Sequence, residues 1–252
     1  MDLEFLVARL TEAVDGGWAV VALSGGVDSG LVALAARKAL GTGCVAATAV
    51  SELTPARELG RAEALARHIG LPFRAVPVSV LGDPLVRANG PDRCYHCKRL
   101  IFRVLREEFG PDAVFFDGTN ADDDPHRPGL KALREHGVRS PLREAGLGKR
   151  AVRELARRAG LPNHDTPSES CLATRIPRGI ALDADNLKVV ECLESQCHEM
   201  GADTLRVHYD NLVAIMEYLP QYADIMEQNR DSLMALALRI GVGSCLFKEY
   251  AE

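Results

Sequence analysis

Along the first two thirds of the chain, short apolar runs alternate with longer stretches of helical spacing. Leu3, Leu6, Val7, Leu10 and Val14 recur at intervals of three and four, with acids between them, which predicts an opening amphipathic helix. "AVVALS" at 19–24 is a continuous apolar run that ends in "GGVDS" and is followed by the helical "GLVALAARKAL", reading as strand, glycine turn, helix. The unit recurs in "CVAATAVS" and "TPARELGRAEALARHIG", where Thr54 fits an N-cap, Pro55 the first helical position and Gly70 the closing residue. "FRAVPVSV" and "AVFFDGT" are further strands, on either side of the helix that carries "DRCYHCK". "VRSPL" before "LGKRAVRELARRAG" predicts one more strand and helix. Such alternation predicts an α/β fold: a mostly parallel sheet with helices on both faces.

Residues 161–181, "LPNHDTPSESCLATRIPRGIA", carry three prolines and many polar side chains. A segment that long and irregular reads as a functional loop. Beyond it come a helix ("DADNLKVVECLESQCHEMG"), two short strands ("TLRVHY", "VAIMEY"), one helix ("YADIMEQNRDSLMALALRIG") and a last strand ("CLFKEY"). The expectation is a first domain over 1–175 and a small α+β domain over 176–252, without internal repeats or low-complexity tracts.

Composition narrows the class. With 252 residues, 47% of them hydrophobic but only 5% aromatic, the core must be built from Ala, Leu and Val. A net charge of -5 is a poor footprint for a protein that tracks a polyphosphate backbone, which argues against a nucleic-acid partner. No stretch approaches 18 uninterrupted apolar residues, and the acidic amphipathic start is neither signal peptide nor membrane span. Seven cysteines is an odd number for a disulfide framework, and a chain of this size needs none, so a reducing cytoplasm is expected.

The candidate chemistry lies in the turns. "SGGVDS" at 24–29 joins a strand to a helix, so its glycines can let the backbone approach a polyanion that faces the helix dipole, with Ser24 and Ser29 adding hydroxyls. It is neither a Walker loop nor Gly-x-Gly-x-x-Gly. Ser51 with Glu52, and Asp117, Gly118, Thr119 and Asn120, fall at carboxyl ends of strands, where open α/β sheets bind ligands. On a helix Cys94 and Cys97 would share a face, with Cβ atoms about 5 to 6 Å apart. Zinc would need a second such pair, which the sequence lacks; redox chemistry and plain burial stay open for the pair itself. Cys171 sits near Arg175 and Arg178, cations that favour a thiolate. Those two arginines, and more weakly Arg206, have the fork geometry that suits a substrate phosphate. Five cations within 149–158 read mostly as a solvated helix face, and Asp122, Asp123, Asp124 and His126 as a solvated turn.

Ser-Gly-Gly-x-Asp-Ser after a first strand resembles the pyrophosphatase loop of the PP-loop ATPases, which have an adenine-nucleotide α-hydrolase, HUP-like fold. That resemblance implies cleavage of ATP between its α and β phosphates, with Ser24, Gly25, Gly26, Asp28 and Ser29 holding pyrophosphate and Mg²⁺. In their order, "LSGGVDS", "RCYHCK", "DGTNADDDPHRPGLKAL", "SPLREAGLGKRAVRELARRAGLP" and "PSESCLATRIPRG" resemble the LarE family of ATP-dependent sulfur transferases over about residues 19–180. The ending "ALRIGVGSCLFKEY" departs from that family's pattern. The resemblance implies adenylation of a carboxylate on a pyridinium biscarboxylic acid mononucleotide and its conversion to thiocarboxylate, a step of nickel-pincer nucleotide biosynthesis, in a homo-oligomer. Two sulfur sources occur in the family: a sacrificial cysteine matching Cys171, or a four-iron four-sulfur (4Fe-4S) cluster on three cysteines matching Cys94, Cys97 and Cys171. All three positions are present, which favours the cluster, loaded by an unspecified sulfide donor. The rival readings are a tRNA thiolase, whose loop carries Lys where this chain has Val27, and a nucleotide-binding regulator without chemistry.

Overall fold

A computed structural model of the chain describes residues 2–167 and 169–250; Ser168, inside the quoted "PSESC" segment, lies outside them. The chain begins with α1 (Leu3–Val14), β1 (Ala19–Ala22), α2 (Val27–Leu40), β2 (Cys44–Val50), α3 (Ala56–Ile69) and β3 (Phe73–Pro77). There follow the short α4 (Pro84–Arg87), α5 (Arg93–Phe109), β4 (Val114–Phe116), α6 (Pro128–Glu135), the short α7 (Pro141–Glu144) and α8 (Lys149–Arg158). A 3₁₀ turn at Leu172–Arg175 precedes α9 (Ala184–Glu199), β5 (Leu205–Tyr209), β6 (Val213–Tyr218), α10 (Ala223–Gln228), α11 (Arg230–Arg239) and β7 (Ser244–Glu249).

Residues 1–80 and 94–169 form one compact unit. Its sheet has the order β3-β2-β1-β4 with every pairing parallel, as the alternating pattern predicts. Both faces are covered, and the pleat divides the strand residues between them. Ala19 and Val21 of β1, Ala46 of β2 and Phe116 of β4 join Leu6 and Leu10 of α1, Leu31 of α2 and Val152 of α8 in one core cluster. Val20, Ala47 and Phe115 face the other way, onto Phe102 and Leu105 of α5 and Leu133 of α6. Because β1 has β2 on one side and β4 on the other, the connections leave β1 in opposite directions. The carboxyl end of β1 is therefore a switch point of the sheet, and "SGGVDS" is there.

The second unit comprises residues 81–93 and 170–252, so the chain passes between units three times instead of once near 176. Polar bonds explain the grouping. Asn89, fully buried with φ of 52°, donates Nδ2 to the carbonyls of Ile176, Pro177 and Ile180, and Leu182 N donates to Arg87 O. Arg93, also buried, donates Nη1 to Asn89 Oδ1 and to Ala173 O. The sheet of this unit is mixed, β5 antiparallel and β7 parallel to β6, and α9 buries Leu187, Val190 and Leu193.

Three local expectations change. Thr54 does not cap α3: its hydroxyl closes the turn after β2 against Ser51 N and Ala49 O, and Pro55 is the cap residue. "VRSPL" supplies only an isolated bridge, Arg139 to Phe116, because Pro141 starts the short α7 at once. The helix expected over 222–241 breaks at Asn229, whose side chain bonds back to Ile225 O. Among the described residues no helix is long and apolar enough to cross a membrane.

Candidate functional site

The loop 24–29 is held open by its own hydroxyls. Ser29 Oγ donates to Gly26 O and accepts from Ser24 N, while Ser24 Oγ lies 3.1 Å from Ser29 Oγ and accepts from Gly26 N. Gly25 has φ of 81°, and a Cβ there would come within 2.9 Å of Ala62 N, so the turn needs glycine both for its conformation and for its closeness to α3. Asn163 Nδ2 donates to Gly25 O from behind. No side chain caps α2, so its first N–H groups face the turn. Ser24, Gly25, Gly26 and Asp28 line a cleft together with Glu58, Arg61, Lys149, Thr166 and Glu169.

Lys149, at the start of α8, forms an ion pair through Nζ with Asp28 Oδ2, while Asn120 Nδ2 reaches Asp28 Oδ1 at 3.4 Å. Across the cleft, Arg61 pairs with Glu169. Sequence reasoning assigned Lys149 to a solvated stripe and passed over Arg61, Glu169 and Asn163. One signal existed: a lysine in the first turn of a helix opposes the helix dipole, so something other than the helix must favour it.

The strand-end residues split between support and site. Asp117 is buried and accepts from Thr119 N, Thr119 Oγ1 and Ser140 Oγ, so Thr119 braces the turn after β4. Gly118 lies against α2: a Cβ there would be 2.6 Å from Ser29 N. Ser51 ties the end of β2 to Leu53 N and Thr54 Oγ1, and Glu52 accepts from Ser79 Oγ and Val80 N beyond β3. The acidic turn is internally bonded, Asp122 to Lys149 N, Asp123 to Asn120 N and Arg127, and Asp124 to His126 N.

Cys94 and Cys97 occupy the first turn of α5, three residues apart and half-buried, and Cys171 is half-buried just before the 3₁₀ turn of the second unit. Tyr95 between them anchors this end of α5 to α6, its hydroxyl 2.9 Å from Glu135 Oε2 and its ring under Lys131 Nζ. Burial pushes the Cys44 and Cys245 thiols up, and pushes Cys197 up to about 12 with a further contribution from the Glu194 charge. Those three are poor sources of thiolate. Among the described residues no group of three His, Cys, Asp or Glu side chains is arranged as a metal site.

The three arginines expected at a substrate phosphate are placed differently from one another. Arg175 is buried with its fork on Glu194, at 2.7 and 3.3 Å, and its remaining nitrogen on Ser170 and Thr174; Glu194 also accepts from Val207 N. Its guanidinium therefore organises the second unit instead of presenting a fork to a ligand. Arg178 is exposed and donates to the carbonyls of Gly90 and Pro91, and Arg206 is exposed on β5.

Comparison with known proteins agrees with this geometry. The NAD synthase family matches residues 3–87, which contain the phosphate loop. Uncharacterized protein slr1717 of Synechocystis sp. is 37% identical over 207 residues, 81% of this chain and 77% of that protein. The pyridinium-3,5-bisthiocarboxylic acid mononucleotide synthase of Lactiplantibacillus plantarum is 36% identical over 179 residues, 70% of this chain but 64% of the synthase's own length. Uncharacterized protein MJ0830 of Methanocaldococcus jannaschii is 35% identical over 138 residues, 53% of each chain. With the phosphate loop at the sheet's switch point and these relatives beside it, the chain belongs to the LarE family of PP-loop proteins.

Proposed function

We propose that this chain is an ATP-dependent sulfur transferase acting on a carboxylate of a pyridinium biscarboxylic acid mononucleotide. One observation carries the reading: a phosphate loop with Asp28 and Lys149 in its cleft, in a chain 36% identical to a synthase named for the bisthiocarboxylic product. A carboxylate oxygen attacks the α-phosphorus of ATP and pyrophosphate leaves, giving an acyl-adenylate. Sulfide then attacks the acyl carbon, and AMP departs with the former carboxylate oxygen, leaving a thiocarboxylate. The N–H groups at the start of α2 bind the phosphates, and Asp28 would hold a magnesium ion, whose charge offsets theirs during attack.

Cys94, Cys97 and Cys171 would hold a four-iron four-sulfur cluster, supplying sulfide from the iron that lacks a protein ligand. Two features support this assignment. The burial that raises Cys44, Cys197 and Cys245 disfavours them as ligands. Arg93, next to Cys94 in the chain, bonds the carbonyl of Ala173, two residues beyond Cys171. The test is anaerobic purification with iron and sulfide analysis of the wild type and of Cys94→Ala, Cys97→Ala and Cys171→Ala, beside an assay of pyrophosphate release. The expected result is a cluster absorption lost in all three variants and pyrophosphate release that requires the pyridinium substrate. A colourless, iron-free protein in which each turnover consumes one polypeptide, whose Cys171 loses the mass of hydrogen sulfide, would overturn the cluster in favour of sacrifice. Tight ATP binding with no turnover would overturn the enzymatic reading.

A further inference from the structure

Among the described residues β7 is an edge of the mixed sheet, bonded to β6 on one side only. Ser244 N donates to Leu212 O and Tyr250 N to Tyr218 O, so even-numbered positions turn their backbone groups toward β6 and the alternate ones, Cys245, Phe247 and Glu249, turn theirs outward. Little protects this edge. The strand keeps register with β6 over six residues without bulge or proline, and its lysine, Lys248, is drawn back over the sheet onto Glu217 of β6 at 2.8 Å, leaving Glu249, its last residue, as the remaining charge. The surroundings are apolar. Five of the seven large apolar side chains that are exposed among the described residues, Leu212, Met234, Leu238, Leu246 and Tyr250, lie on or beside this sheet and α11. Arg230, Met234 and Leu238 recur every four residues and so share one flank of α11; the Arg230 guanidinium carbon lies 4.4 Å from the Phe247 ring centroid, which places that flank along β7. Cys245 and Phe247 are half-buried while Leu246 between them is 54% exposed on the open face of the sheet, beside Ile215. Unpaired backbone groups with apolar side chains on both flanks make a surface that water satisfies poorly.

We infer that this edge docks a second copy of the chain, β7 against β7 in an antiparallel pair about a two-fold axis at Leu246, joining two three-stranded sheets into one of six strands. The occupant follows from self-complementarity, which an isologous contact requires. With Leu246 opposite its own copy, Cys245 and Phe247 exchange backbone hydrogen bonds across the axis, while Lys248 and Glu249 stand opposite Ser244 and Gly243, so no like charges meet. The same axis brings Met234 and Leu238 of the two copies together and covers both.

The test is particle mass by light scattering across the micromolar range for the wild type, Leu246→Lys and Leu238→Lys, beside oxidative crosslinking of Leu246→Cys. The wild type should have twice the particle mass of Leu246→Lys, whatever other contacts a larger assembly has, because lysines facing each other at the axis should weaken the pairing about a hundredfold or more. Leu238→Lys should weaken it about tenfold. Both side chains are exposed, so circular dichroism and MgATP binding should match the wild type and show that the variants fold. A cysteine in place of Leu246 would face its own copy in a non-hydrogen-bonded pair with Cα atoms about 4.5 Å apart, within reach of a disulfide. Mild oxidation should therefore crosslink Leu246→Cys and not the wild type, with the bond assigned by peptide mass spectrometry. Equal masses for the wild type and Leu246→Lys, or a Leu246→Cys chain that stays uncrosslinked, overturn the pairing and leave the edge to another occupant.

Discussion

Gly118 and Gly60 answer the same substitution with opposite signs. A methyl on Gly118 would meet Ser29 N at 2.6 Å and Ser29 Cα at 2.9 Å, both backbone atoms that cannot rotate aside. Gly118→Ala must therefore push the turn after β4 away from the start of α2, with an expected loss of about 1–3 kcal/mol in denaturant unfolding and a clear weakening of MgATP binding in calorimetry. Gly60 lies inside α3, is exposed and has nothing within 4 Å of an added Cβ, so Gly60→Ala should stabilise the protein by roughly 0.5–1 kcal/mol and leave MgATP binding unchanged. A third expectation concerns the Asp28–Lys149 pair: Lys149→Met should weaken MgATP more than AMP, since the cation stands at the phosphate end of the cleft. The loop itself was legible in the sequence because glycines, serines and an acid at fixed spacing mark a turn that faces an anion. Lys149 and Glu169 were not, because each joins the cleft from more than a hundred residues away and nothing in its local spacing announces a partner.

At the scale of elements, the sequence was most informative where burial decides. β1 and β2 are apolar runs because helices cover both of their faces, and α5 shows its period because one side packs on Phe115. It misled where hydrogen bonds decide: Thr54 had the composition of a cap but serves the turn before α3, and the good helix formers on either side of Asn229, Glu227, Gln228 and Arg230, concealed a break. The small mixed sheet illustrates such a polar determinant with a measurable consequence. Glu217 on β6 receives Lys248 Nζ from β7 at 2.8 Å and lies 3.3 Å from His208 Nε2 of β5. The bond from Lys248, with the neighbouring positive charges, holds its carboxyl below the usual carboxylate range. A folded-state value below the unfolded one gives stability that is present above the unfolded value, about 4.3, and lost as pH falls through the folded one. Thermal melts from pH 6 to pH 3 should thus show a steeper loss for the wild type than for Glu217→Gln, with the two curves converging at the acidic end. Parallel curves would mean that the strand pairing owes nothing to this charge.

For the molecule as a whole, the division into two units was the least legible feature, because residues 81–93 join the later segment through Asn89 and Arg93, polar bonds that span 87 and 80 positions. Charge, by contrast, is a property of the whole chain that can be read directly, and it separates the small-molecule reading from tRNA thiolation. A net charge of -5 gives no long-range attraction for a polyanion, and the cationic groups of the cleft already face carboxylates, Lys149 on Asp28 and Arg61 on Glu169. An RNA-modifying enzyme that neutralises several phosphates would bind more weakly as salt rises, by a slope of about 0.7 to 0.9 per phosphate contacted on a double logarithmic plot. This chain should show no saturable tRNA binding in filter assays at moderate salt and no measurable slope between 50 and 200 mM, the range over which about 6–10 phosphate contacts would change affinity a thousandfold or more. MgATP binding should persist across that range, because its contacts lie inside a cleft where screening by mobile ions is weaker. A steep salt slope with tRNA would return the thiolase reading to first place, and would require a basic surface unlike anything the overall charge suggests.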